Sequence, residues 1–179
     1  MKIVALAGSN SSTSINKQFV TYASSLLNEE VEILDLNNYK IPTYSIDIEL
    51  KDGFSDDVKQ FFKKLNEADV ILISFAEHNG NFTAAIKSYL DWCSRIEYKF
   101  LKKAKVFALS TSDGGYGAKG ALENGTKLLK KFDAEILDTF SLPHFSQNFK
   151  DGKIINEEFD LVLKNSLTTF KNIFKQANS

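Results

Sequence analysis

Five apolar residues, Ile3 to Ala7, stop at Gly8, and hydroxyl or amide side chains fill every position from 9 to 14. Beyond them Ile15, Phe19, Tyr22, Ala23 and Leu26 recur at the spacing of one helix face. A buried strand entering an amphipathic helix through so polar a turn leaves few folds open, because the two must pack as a βα unit. The turn also has a chemistry. The first N–H groups of a helix lack partners within it, and the aligned peptide dipoles make that end positive. One serine or asparagine is enough for a cap. The excess here, reaching Asn16, predicts a phosphate pocket that needs neither a metal nor a lysine.

The rest of the chain repeats the alternation. Residues 31–36, 70–75, 105–109 and 135–137 read as further strands. Helical stripes run through Phe54, Val58, Phe61, Phe62 and Leu65, then through Phe82, Ile86, Tyr89, Leu90 and Cys93. Two more run through Ala118, Ala121, Leu122, Leu128 and Leu129, and through Phe159, Leu163, Leu167, Phe170 and Phe174. Residues 37–50 and 142–152 read as irregular. Five strands alternating with five helices predict an α/β fold of three layers, a five-stranded parallel sheet between helices. With no linker or repeat, residues 1–179 form one domain. The commonest small fold with this count has strand order 2-1-3-4-5. That order sets the first, third and fourth strands side by side, so the polar loops after them meet in one crevice at their carboxyl ends.

The formal charge of −1 offers no electrostatic case for nucleic acid or an anionic membrane as partner. Cys93 is the only cysteine, which excludes an internal disulfide, and His78, His144 and Cys93 lack ligand-like spacing for zinc. No apolar run suits a membrane span or a signal peptide, so a cytoplasmic protein is expected. Arg95 is the only arginine, which leaves the usual bidentate phosphate grip to other donors.

Glycines at 80, 114, 115 and 117 let backbone approach a flat ring where a Cβ would obstruct. Asn79 and loop amides can bond to a heterocycle's edge. A heterocycle with a phosphate on a flexible arm describes FMN.

In these residues the chain resembles the NADPH-dependent FMN reductases, with the related quinone, azo-dye and chromate reductases of flavodoxin-like fold. Their first loop reads Gly-Ser-x-Arg-x-x-Ser-x-Asn; Gly8, Ser9, Ser14 and Asn16 match, and Ser11 stands at the arginine. Of their Pro-Glu-Tyr-Asn loop and the helix after it, Glu77, Asn79, Lys87, Asp91 and Trp92 match, with Ala76 and His78 for the proline and tyrosine. The resemblance implies FMN held by Ser9, Ser11, Ser14, Ile15 and Asn16, with Lys17 nearby, by Glu77, His78, Asn79 and Gly80, and by Ser112, Asp113, Gly114, Gly115 and Tyr116. It implies NADPH or NADH as hydride donor, a small-molecule electron acceptor, and a homodimer or homotetramer. No general acid or base is required, because the flavin carries the chemistry. Tyr116, Phe145 and Phe149 are candidates to roof the site, and lysines 99, 102, 103 and 119 are candidates for the donor's 2′-phosphate.

Three readings compete. Gly115-Tyr-Gly117-Ala-Lys-Gly120, with Asp138 further on, spells a dinucleotide fingerprint, but after the fourth strand rather than the first. A flavodoxin-type electron carrier would be strongly acidic, with a threonine-rich phosphate loop. A binding module without flavin would keep the fold alone.

Overall fold

The apolar runs Ile3–Ala7 (β1) and Val70–Phe75 are buried at every position, which requires helices on both faces of the sheet. The computed structural model describes residues 1–176 and supplies those helices. After β1 come α1 (Ile15–Ser25), β2 (Glu32–Leu34), a 3-10 turn (Leu36–Asn38), α2 (Ile46–Asp52), α3 (Asp56–Asn66) and β3 (Val70–Phe75). A small hairpin follows, β4 (Glu77–His78) and β5 (Asn81–Phe82), then α4 (Ala84–Ile96), β6 (Lys105–Thr111), α5 (Lys119–Lys131) and β7 (Glu135–Leu142). The chain continues through α6 (Phe145–Asn148), β8 (Phe149–Lys150), β9 (Lys153–Ile154) and α7 (Glu157–Gln176).

The five long strands pair in parallel in the order β2-β1-β3-β6-β7, the flavodoxin-like order expected. Alternate residues divide the core. Val4, Leu6, Ile71, Ile73, Val106 and Ala108 face the side of the sheet covered by α3, α4 and α5. Ile3, Ala5, Val70, Leu72, Phe107 and Leu109 face the side covered by α1 and α7. None of the described helices is long and apolar enough to cross a membrane.

Three expectations need correction. Residues 37–50 are not all loop, since α2 begins at Ile46, capped by Ser45 and ended by Gly53 at φ 68°. The last strand runs on to Leu142 rather than stopping at 137, with a register shift at Val106/Phe107. The stretch 142–152 contains α6 and β8.

The far end of α7 is tied down by charge. Glu29 meets Lys171 at 2.9 Å and Lys175 at 2.7 Å. Hydrogen bonds from Lys175 and Lys171 hold its carboxyl down from the usual 4.5 to about 2. A pKa lowered by folding means stabilisation that is complete above the unfolded value and is lost as pH falls through the folded one. Urea midpoints of the wild type should therefore fall between pH 4.5 and about 2 more steeply than those of Glu29→Gln. Parallel acid limbs in the two proteins would remove this ion cluster from the stability of the helix.

Candidate functional site

The loops after β1, β3 and β6 meet at the carboxyl ends of their strands, and hydrogen bonds join them. Gly8 donates its N–H to the Ser74 carbonyl at 2.8 Å, and its own carbonyl accepts from Thr83 Oγ1 at 2.8 Å. A Cβ on Gly8 would stand 3.1 Å from Ile86, so α4 lies hard against the first loop. Asn16 closes the set. Its Oδ1 accepts from Ser74 Oγ at 2.7 Å and from the Thr111 N–H at 3.2 Å, while its Nδ2 donates to the Thr111 carbonyl at 3.1 Å.

In the first loop Ser14 is the helix cap, its hydroxyl accepting the Lys17 N–H at 3.1 Å. Ser9 and Ser11 accept from Ser11 N and Thr13 N at 3.2 and 3.3 Å, which folds the loop on itself. The N–H groups of Ile15 and Asn16 have no hydrogen-bond partner among the described residues. Those two donors, at the start of an 11-residue helix and beside the exposed hydroxyls of Ser11 and Thr13, fit a phosphate. Lys17 is not free to join them, because its ammonium pairs with Asp35. That contact, chiefly as a hydrogen bond, holds the Asp35 carboxyl below its usual range.

The second loop is a hairpin whose turn, Asn79-Gly80, has φ 51° and 77°. Two left-handed residues in succession make the turn that suits a two-residue hairpin. His78 is exposed on it. Glu77 is turned inward, its Oε2 accepting the Ala121 N–H at 2.9 Å and so anchoring the hairpin to the first turn of α5. Gly120 admits this contact, since a Cβ there would stand 2.8 Å from the Gly80 carbonyl oxygen.

In the third loop Ser112 is half-buried and Gly114 exposed, and Tyr116 is 65% exposed with the Lys119 ammonium 5.8 Å from its ring centre. Asp113 accepts from Ser146 N at 2.9 Å and Ser146 Oγ at 2.6 Å, and these bonds hold its carboxyl below the usual range. The space above Gly115 is taken by the His144 imidazole, 3.2 Å from where a Cβ would sit. Gly117 packs on the end of β7, its carbonyl accepting from Ser110 and Ser141 at 2.7 and 2.8 Å.

Several expectations change. The side chains of Asn16, Glu77 and Asp113 make hydrogen bonds within the protein that fix the loops they stand on. Gly117 packs on the end of β7 and Gly120 on the hairpin. Phe145 and Phe149 are buried and stacked 4.7 Å apart, leaving Tyr116 as the exposed aromatic of the three roof candidates. Lysines 99, 102 and 103 precede β6 and lie at the opposite end of the sheet from the loops; of the four lysines named, Lys119 is on the site side. Cys93 is buried on α4, and burial pushes its thiol pKa up, as suits a small core residue.

Sequence reasoning passed over His144 and Ser146, which clamp the third loop from a segment read as irregular. It also passed over the walls flanking the first loop. On one side a groove of about 870 Å³ includes Asn10, Lys40 and His78. On the other a cleft of about 450 Å³ runs along α1 past Ser12, Thr13 and Lys17.

Known proteins share this fold. The solved structure of FerB, a flavoenzyme NAD(P)H:(acceptor) oxidoreductase from Paracoccus denitrificans, superposes with a TM-score of 0.79 at 20% identity, covering 98% of each chain, which shows the shared fold. An uncharacterized protein of Mycoplasma pneumoniae is 32% identical over 131 residues, 70% of this chain and 77% of that one. The NAD(P)H:quinone oxidoreductase of Solanum tuberosum is 30% identical over 122 residues, 65% of this chain and 61% of its own length. The family model described as NADPH-dependent FMN reductase matches residues 1–147, and the chain belongs to that family of oxidoreductases, whose cofactors are FMN and NAD(P)H.

Proposed function

We propose that this protein takes a hydride from NADPH or NADH and passes two electrons through FMN to a small acceptor: a quinone, a free flavin, an azo compound or a metal oxyanion. The observation that supports it most is the pair of unpartnered N–H groups at Ile15 and Asn16, set among three loops that hydrogen bonds hold together. Ser9, Ser11 and Ser14 with those N–H groups would hold the phosphate; Asn79, Gly80, Gly114 and Gly115 would border the ring. FMN would supply the electron exchange itself. The residues present have to bind, orient and keep the ring edge in fixed hydrogen bonds. For a quinone the balance is NAD(P)H plus a proton plus quinone giving NAD(P)+ and hydroquinone. The reading includes a cytoplasmic homodimer or homotetramer, which sedimentation would check.

Colour tests the reading. The purified protein should be yellow, or turn yellow with added FMN, and bleach on anaerobic addition of NADPH. Bleaching only through a separate reductase would make it an electron carrier, and no colour after added FMN would make it a module without flavin.

Ser11→Arg should tighten FMN binding about tenfold, by adding a charge-assisted contact to the phosphate. Equilibrium dialysis of both proteins against FMN gives the comparison. An unchanged dissociation constant would put the phosphate somewhere other than the first loop.

A further inference from the structure

The groove of about 870 Å³ between α4 and the segment after β2 adjoins the loops proposed to hold FMN, its rim carrying Asn10 and His78 from the first two of them. Its lining mixes Ile41, Pro42 and the Tyr89 ring with the polar side chains of Asn37, Thr43 and Ser88. The wall is fixed from below. Tyr89 donates its hydroxyl to the carbonyls of Leu36 and Tyr39 at 2.7 and 2.9 Å. Ser88 Oγ and Trp92 Nε1 both donate to the Pro42 carbonyl, at 2.8 and 2.9 Å. A groove whose shape is set before binding costs a ligand little ordering, and its size is that of small-molecule sites.

Its charge is one-sided. No carboxylate lines it, and Lys40 supplies its one formal charge. The Lys40 ammonium has no ion-pair partner among the described residues; the nearby Asp57 accepts the Lys40 backbone N–H at 2.7 Å instead. Of the other cations on this side, Lys17 is paired with Asp35, Lys87 with Asp91 and Arg95 with Glu49. An unpaired ammonium at the rim of a groove walled by an aromatic ring and by hydroxyl and amide side chains suits a ring system bearing a negative group.

We infer that this groove seats the electron acceptor and selects flat-ring acceptors that carry an anionic substituent, an inference that rests on the reductase reading above. The experiment compares naphthoquinone sulfonate with neutral menadione. Binding of the sulfonate to the oxidised, FMN-loaded protein is measured by calorimetry, and kcat/KM is measured for both acceptors. Lys40→Gln should weaken sulfonate binding about tenfold and Lys40→Glu further, and both should lower the sulfonate-to-menadione ratio of kcat/KM. Lys130→Gln, in the last turn of α5 at the far end of the sheet, should leave the ratio as in wild type. An unchanged ratio and unchanged sulfonate binding in Lys40→Glu would overturn the inference. So would a rise in KM for NADPH with no change toward the sulfonate, which would assign the groove's anion to the dinucleotide. FMN content and anaerobic bleaching of the same variants report separately on the reductase reading.

Discussion

Gly125→Val is expected to cost about 3 kcal/mol of stability and to lower the melting temperature by roughly 6–12 °C. Gly125 lies on the inner face of α5, and a Cβ there would stand 2.4 to 2.6 Å from three ring atoms of Phe75. Phe75 has no room to yield. It is fully buried at the end of β3 and meets the Phe82 ring at 6.0 Å. Alanine in a helix interior is ordinarily better than glycine by about 1 kcal/mol, so Gly125→Ala separates the two effects. If the clash dominates, that variant too is less stable than wild type, and adding Phe75→Leu recovers part of the loss through a non-additive coupling. Urea denaturation of these proteins together with Phe75→Leu alone decides it; a stabilised Gly125→Ala would mean that α5 can ride outward at no cost. Because Glu77 ties the hairpin to the same helix, a displaced α5 should also loosen the second loop.

The sheet was legible because its central strands are buried on both faces, and a run such as Val70–Phe75 announces that without any periodicity. Strand β7 was read too short because Asp138 and Thr139 interrupt the apolar pattern, as an edge strand permits. Helix α2 went unseen because it buries no residue and has no stripe, although Ser45 and Gly53 mark both its ends. The Asn79-Gly80 dipeptide signalled the hairpin and was read only as a ligand loop. For the site, composition showed which loops are polar but not where each side chain goes. Asn16, Glu77 and Asp113 bond to partners 95, 44 and 33 residues away. Only the fold brings those partners near, and through them the three side chains tie the loops to their neighbours.

Asn16→Asp puts one of those ties to the test. If Asn16 acted only by facing a phosphate, an aspartate there would weaken FMN binding and leave the FMN-free protein as stable as before. The geometry predicts a defect in the FMN-free protein itself. Asn16 is 3% exposed, and its Nδ2 donates to the Thr111 carbonyl at 3.1 Å. An ionised aspartate sets an oxygen against that carbonyl and buries a charge with two donors, Ser74 Oγ and Thr111 N–H, where asparagine made three bonds. Protonated, it restores the missing donor. Burial and the facing carbonyl therefore raise its folded pKa above the unfolded value of about 3.9. A group whose pKa is raised by folding stabilises below the unfolded value, and that stability is lost as pH rises toward the folded one, by about 1.4 kcal/mol per unit. Asn16→Asp should thus lie close to wild type near pH 4 and fall about 3 kcal/mol below it by pH 7. Asn16→Leu, which loses the same bonds without a titrating group, should be weaker than wild type by an amount that does not vary with pH. Urea titrations of the FMN-free proteins across this range measure both. A constant gap between Asn16→Asp and wild type would return Asn16 to the role of a phosphate ligand, and the three loops would need another tie.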